Sequence, residues 1–217
     1  MRFADEAFLE LFPEKKLPFI SVEYSGRFNS FNANVVKKNN SLFFKLSKNW
    51  RSVSSEIKKG LVQELLTKLF KVKKRTLNMD LYDSFIKKLS DFSVPSRSHP
   101  VLEESFNRVN LACFSNSLSR PNLKLGRGVN RLGFYDYASD TISISRILLD
   151  YPDLLDYVMF HELLHKVHKF RVSGSRHIHH SKEFRDAEKS YPNAALLEKK
   201  LGKLVSESKR KRPFSLF

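Results

Sequence analysis

Six of the seven histidines fall between positions 161 and 180, and two of them form the run His161-Glu162-Leu163-Leu164-His165. On a helix, residues four apart share a face and sit about 6 Å apart along the axis, so His161 and His165 can turn one nitrogen each toward a single tetrahedral ion about 2.0–2.1 Å away. That spacing suits zinc. Glu162 follows the first ligand directly, which places its carboxylate beside the ion without its being a ligand. A zinc-bound water is acidified toward neutrality, and a glutamate in this position takes its proton while the ion polarises a carbonyl. The alternative for the pair is two hydrogen-bonded histidines on an ordinary charged helix. Leu154, Leu155, Val158 and Met159 make this helix apolar enough to be buried, where polar groups are costly unless they serve a site.

A catalytic zinc takes a third protein ligand and keeps its fourth position open. His168 lies seven residues beyond His161, about 10.5 Å along the axis, too far to converge with the pair. The polar run Arg171-Val172-Ser173-Gly174-Ser175-Arg176 can reverse the chain, and Ser181 caps a new helix starting at His180-Ser181-Lys182-Glu183-Phe184. A ligand from that entry would face back onto the first helix, and His177, His179 and His180 all remain candidates.

These residues need elements to hold them. Hydrophobic spacing predicts a helix over Ala4–Phe12, strands between Phe19 and Leu46 with a turn at Lys37–Asn40, and helices over Ser54–Val72 and Asp80–Leu89. Residues 93–100, with two prolines and three serines, read as a linker between an accessory region (1–92) and a core (101–206), followed by a basic tail (207–217). The core is expected to hold a helix to about Ser115, extended chain over Pro121–Phe134, a strand at Thr141–Ser145 and the motif helix from about Asp150 to Phe170. A faint repeat joins the halves: Gly26-Arg27 and Gly126-Arg127 are each followed 15 residues later by a β-like run. Each run then leads to a helix, one carrying Gln63-Glu64-Leu65-Leu66-Thr67 and the other the His161–His165 motif.

The net charge is +16, with 19 basic and 10 acidic residues in the first hundred positions, which admits a polyanionic partner such as single-stranded or duplex DNA. Lys209, Arg210, Lys211 and Arg212 are candidate nucleic-acid contacts, against the plainer alternative of a solvated terminus. Trp50 and Phe43-Phe44 are expected in the core rather than stacked on bases. The single cysteine, Cys113, excludes an internal disulfide or a cysteine-based zinc ribbon and is expected in the core. No apolar run is long enough to span a membrane, and the opening acids do not read as a signal peptide. A cytoplasmic protein is expected, nucleoid- or chromatin-associated if it binds DNA.

The segments Arg131-Leu132-Gly133-Phe134-Tyr135, Ile142-Ser143-Ile144-Ser145-Arg146, His161–His165 and His180-Ser181-Lys182-Glu183-Phe184-Arg185 together resemble the core of the SprT-like (Spartan-like) zinc metalloproteases, over about Val101–Leu204. The resemblance implies His161, His165 and His180 as zinc ligands and Glu162 as catalytic base. It also implies action on DNA-associated or DNA-crosslinked proteins, although the zinc ribbon of many members is missing and the first hundred residues match no part of the pattern.

The expected fold is α+β: a zincin-like core with a small mixed sheet packed on the HExxH helix, preceded by a hairpin-helix accessory region. The expected function is zinc-dependent hydrolysis of a peptide held along the edge of the Thr141–Ser145 strand, with His168, His179, Arg185 and Tyr191 as candidate oxyanion donors. The alternative function is a non-catalytic nucleic-acid-binding module with a structural zinc.

Overall fold

The computed structural model describes residues 2–28, 31–89, 96, 98–173 and 176–210. The chain divides into two compact units: Met1–Leu89 with Val172–His177, and Ser90–Arg171 with Ile178–Phe217.

The first unit opens with α1 (Phe3–Leu11), whose Ala4, Ala7, Phe8 and Leu11 recur at helical spacing and are all buried. Strands β1 (Phe19–Ser25), β2 (Ala33–Lys38) and β3 (Ser41–Ser47) form a sheet of order β1-β3-β2, in which β3 pairs parallel with β1 and antiparallel with β2. Asn39, at a positive φ of 50°, makes the hairpin turn. Leu42, Phe44 and Leu46 alternate inward and are buried, as is Trp50 in the 3-10 turn that follows. Helices α2 (Ser55–Phe70) and α3 (Leu77–Leu89) complete the unit. Helix α3 starts three residues earlier than its periodicity predicts, because the Thr76 hydroxyl accepts the Met79 N–H and acts as the cap.

The second unit repeats this order. After α4 (Pro100–Phe114) come β4 (Asn122–Gly126), β5 (Gly133–Asp136) and β6 (Thr141–Ser145), in a sheet of order β4-β6-β5 with β6 parallel to β4 and antiparallel to β5. A 3-10 turn (Arg146–Leu148) leads into the motif helix α5 (Pro152–His168), and the unit ends with α6 (Lys182–Lys189) and α7 (Ala194–Arg210); between α5 and α6 the chain forms β7 (Arg171–Ser173) and β8 (Arg176–Ile178), whose residues from Val172 to His177 belong to the first unit. Pro152 starts α5, where its missing N–H costs nothing. Nine residues of α5 are buried, packed with Leu102 and Phe106 of α4 and with Ile142 and Ile144 of β6. Two polar ties hold α5 in place. Asp156 accepts from Ser105 and from both sides of the Arg108 fork, while buried Asp140 accepts from Tyr135 Oη at 2.7 Å and Lys166 Nζ at 2.6 Å. The second tie joins the β5–β6 turn to the motif helix.

The architecture is mixed α and β, with a small mixed sheet beside the motif helix. Four expectations are corrected. Phe43 lies outside the core, half-buried beside the exposed Phe19, because strand alternation turns it away from the side on which Leu42 and Phe44 are buried. Cys113 is exposed, because the buried face of α4 ends at Val109 and Asn110 and the partly buried Phe114 ring takes the next contact, on Phe160. Strand β6 lies between its neighbours and has no free edge. The expected tail from 207 starts inside α7, where Leu197, Leu201 and Leu204 recur at helical spacing against the core. Lys211, Arg212 and the residues after them lie outside the described residues, as do Ser93, Val94, Pro95 and Arg97 of the expected linker, while Pro100 already belongs to α4. Among the described residues no helix is long and apolar enough to cross a membrane.

Gly60 shows how tightly α3 lies on α2, since a Cβ there would stand 1.9 Å from the Asn78 carbonyl oxygen. Gly→Ala inside a helix normally gains up to about 1 kcal/mol. Here the clash is with backbone, so Gly60→Ala is expected to destabilise by about 1–3 kcal/mol. A thermal melt should move down by several degrees, and an unchanged or raised midpoint would contradict the close approach.

Candidate metal centre

Helix α5 presents His161 and His165 one turn apart, with ring centroids 5.0 Å from each other. His180 comes from the residues just before α6. Its centroid lies 5.2 Å from that of His161 and 4.9 Å from that of His165, and the two Nε2 atoms of His165 and His180 are 3.2 Å apart. Tetrahedral ligands about 2.05 Å from an ion are separated by about 3.3 Å, so this pair already has the edge length of a zinc tetrahedron. Ligand nitrogens of all three lie within 4.8 Å of one another, and they are the one such group among the described residues. Ser181 caps α6 by accepting the Phe184 N–H, and the Phe184 ring packs 4.7 Å from both His165 and His180.

The electrostatics favour neutral imidazoles. Burial, reinforced by the neighbouring His161, His180, His179 and Arg131, pushes His165 down to about 3, and burial with the neighbouring His161 lowers His180. A neutral ring offers the lone pair a metal needs. The other nitrogens are held from outside: His161 Nδ1 lies 2.5 Å from Glu188 Oε1, and His165 Nδ1 lies 3.4 Å from Tyr137 Oη. Such partners fix the tautomer and aim the opposite nitrogen inward.

Glu162 is only 4% exposed. Burial pushes its carboxyl up to about 8, against the pull of Arg131 and a hydrogen bond from the Tyr135 backbone. Its Oε2 is buried with no hydrogen-bond partner, an expensive arrangement unless something else occupies the site. Strand β5 passes so close that a Cβ on Gly133 would stand 2.2 Å from Glu162 Oε1. The donor set of three imidazoles beside a buried carboxylate suits a zinc ion with one ligand position left open.

The open side is a cavity of about 420 Å³, lined by the three histidines, Glu162, His179, Arg131 and β5 residues from Gly133 to Tyr135. His179 stacks near Tyr137 and Phe170. His177 goes elsewhere. Within the first unit its Nε2 lies 3.0 Å from Asp83 and its Nδ1 3.6 Å from Glu64. Of the expected oxyanion donors, only His179 lines the cavity; Tyr191 packs on Phe160 and Tyr157, His168 faces Phe184, and Arg185 is exposed. Lys209 and Arg210 end α7, are exposed and do not line the cavity.

Tyr137, Glu188 and Gly133 were not legible as site residues. Glu188 carried a signal, since it stands one turn beyond buried Phe184 and so is an acid on the apolar side of α6. No protein-family model matches the chain, and no curated protein matches it either.

Glu188→Gln is expected to weaken zinc binding by about 10- to 100-fold, because the oriented ligand loses its charged partner. A chelator competition titration measures this, and unaltered affinity would mean that Glu188 does not aim His161. Gly133→Ala should retain zinc while displacing the Glu162 carboxylate.

Proposed function

We propose that the second unit is a zinc-dependent endopeptidase of the SprT-like kind, with His161, His165 and His180 holding the ion. The observation that carries this is the buried, unpartnered Oε2 of Glu162 beside three convergent imidazoles and an open cavity. A purely structural zinc would need four ligands and would have no use for that carboxylate. When bound, the ion would supply Lewis-acid polarisation of a carbonyl and acidify a water molecule.

The chain's own groups do the rest. Glu162, which a cation held by the three imidazoles would keep ionised against its burial, accepts a proton from the attacking water and returns it to the leaving amine. Were His165 Nε2 to hold the ion, its Nδ1–H would donate to Tyr137 Oη, 3.4 Å away, and would leave the Tyr137 proton free to stabilise negative charge on the substrate oxygen. Strand β5 is a sheet edge that lines the cavity, so an extended peptide can pair with its backbone there rather than along β6. Phe134 and Arg131, whose guanidinium stacks 3.6 Å over the Phe134 ring, form the wall that such a peptide meets. The net charge of +16 supports DNA-associated proteins as the substrate class.

The first unit is read as a degenerate copy of the same module. Helices α2 and α5 end at the same spacing as β3 and β6, which aligns Gln63, Glu64 and Thr67 with His161, Glu162 and His165. The glutamate remains and both ligands are absent.

Wild type is expected to carry about one zinc per chain and to cleave casein, with cleavage raised by single-stranded DNA if DNA-associated proteins are the substrates. Glu162→Gln should keep the zinc and lose at least about a hundredfold in rate, the lower bound of general-base assistance. Full cleavage by a clean Glu162→Gln preparation would sink the proposal, and zinc without cleavage under any condition would favour a binding module.

A further inference from the structure

Positions 1–89 hold 18 basic and 9 acidic residues, so the acids can answer at most half of the cations, and among the described residues five basic ones are ion-paired, Arg2 with Asp5 among them. Lys59 pairs with Glu6 and Glu10, Lys45 with Glu23, Lys68 with Glu64, and Arg75 with Asp80 and Asp83. Three of the remaining lysines share one cavity. It measures about 180 Å³ and is lined by Lys15, Lys16 and Lys37, with Asn40, Ser41 and Phe70, and by no carboxylate. Lys15 and Lys37 each hold their ammonium 5.3 Å from the Phe70 ring centroid, and Lys15 also sits 4.5 Å from that of Phe12. Aromatic faces thus gather cations that no described acid neutralises, at a cost in mutual repulsion that an anion would remove.

A second feature adjoins this cavity. On the sheet, Phe19 pairs with Ser41, and Ser41 with Lys38, so a cavity-lining serine lies between an aromatic and a fourth lysine. The Phe19 ring is 62% exposed and lies 6.3 Å from the half-buried Phe43 ring. One strand over, Val36 opposite Phe43 is 47% exposed. An exposed phenylalanine backed by a half-buried one, beside a lysine-lined cavity, offers a stacking surface together with a phosphate seat.

We propose that this end of the first unit binds single-stranded nucleic acid, with a backbone phosphate in the Lys15–Lys16–Lys37 cavity, Lys38 on a neighbouring phosphate and a base stacked on Phe19. Free phosphate would use the cavity and leave the rings unexplained. An anionic membrane would want an apolar wedge, whereas Ser21, Glu23, Asn34 and Lys45 share the outer face with the rings. Stacking on Phe19 is indifferent to base identity, so the site is sequence-tolerant. The assignment goes beyond the peptidase reading and stands without it.

The test is fluorescence anisotropy of a labelled oligothymidylate with the full chain across a salt series. The Lys15→Ala/Lys16→Ala/Lys37→Ala variant should bind at least about tenfold more weakly. Its log–log salt slope should be shallower by about 0.7, the loss expected when one phosphate of a single strand is no longer neutralised. Phe19→Ala should weaken binding by about 5- to 100-fold with the slope unchanged. Both should keep wild-type zinc content, casein cleavage without DNA and melting temperature, which separates failure here from failure of the peptidase reading. Crosslinking of a 4-thiothymidine oligonucleotide to peptides containing Lys15–Phe19 or Lys37–Ser41 would support the site without any variant. Unchanged affinity in both variants overturns it. Loss in the lysine variant with none in Phe19→Ala overturns the strand in favour of a phosphate pocket. Lysine-dependent binding to phosphatidylglycerol vesicles with unaltered oligonucleotide affinity overturns it in favour of a membrane surface.

Discussion

A carboxylate and two imidazoles stand on a helix whose surroundings are otherwise apolar, and the second unit is arranged around the cost of keeping them there. Helix α5 buries nine side chains, so Glu162, His161 and His165 give up hydration that must be replaced by specific partners. Glu188 replaces it for His161, Tyr137 for His165, and the Tyr135 backbone for part of Glu162. Helix α6 supplies the first of these partners, and strand β5 with the residue that follows it supplies the other two; the glycine at 133 is what lets β5 pass against the carboxylate. The Asp140–Lys166 pair then fixes the β5–β6 turn to the helix that carries the motif. What remains uncompensated is Glu162 Oε2, buried beside the cavity without a partner.

The first unit shows the same framework with that cost removed. Its sheet has the same order and the same parallel and antiparallel pairing, and α2 follows β3 through a 3-10 turn as α5 follows β6. At the positions that match His161 and His165, Gln63 Nε2 donates to Glu10 Oε2 at 2.9 Å and Thr67 Oγ1 donates to the Glu64 carbonyl. Glu64 itself pairs with Lys68 at 3.0 Å and lies 3.6 Å from His177. Each polar group on the inner side of α2 is answered by the unit's own side chains or backbone, so the unit needs no ion. One sheet order thus accompanies a closed, satisfied helix in one unit and an open, partly unsatisfied one in the other.

Local pattern made much of this legible. The i,i+4 histidines, the buried glutamate between them, the strand at Thr141–Ser145 and the Ser181 cap all rest on interactions within a few residues, and each stands where its spacing places it. The failures have a common cause in contacts made far along the chain. Strand order within a three-stranded sheet is a long-range property, so alternation in β6 could not reveal that β5 takes the edge. Helix α7 was obscured by its lysines, although Leu197, Leu201 and Leu204 anchor it. Glu188 and Tyr137 reach the imidazoles across 27 and 28 residues of chain, distances over which spacing carries no information.

The three histidines at 177, 179 and 180 make the same point most sharply, because they are chemically identical and nearly adjacent. His177 belongs to the first unit and meets Asp83 and Glu64 there, which occupies its ring with carboxylates. His179 lies against the faces of Tyr137 and Phe170, a setting that holds the ring for a role at the cavity wall. Only His180, one residue before the cap of α6, has its Nε2 turned to His165. Which of three equivalent side chains joins the pair is therefore decided by where strand β8 ends and helix α6 is capped. The resemblance to a known protease pattern singles out His180, whereas loop composition alone leaves all three open. A short motif can thus name the chemistry of a site, while the capping of a neighbouring helix decides which atoms complete it.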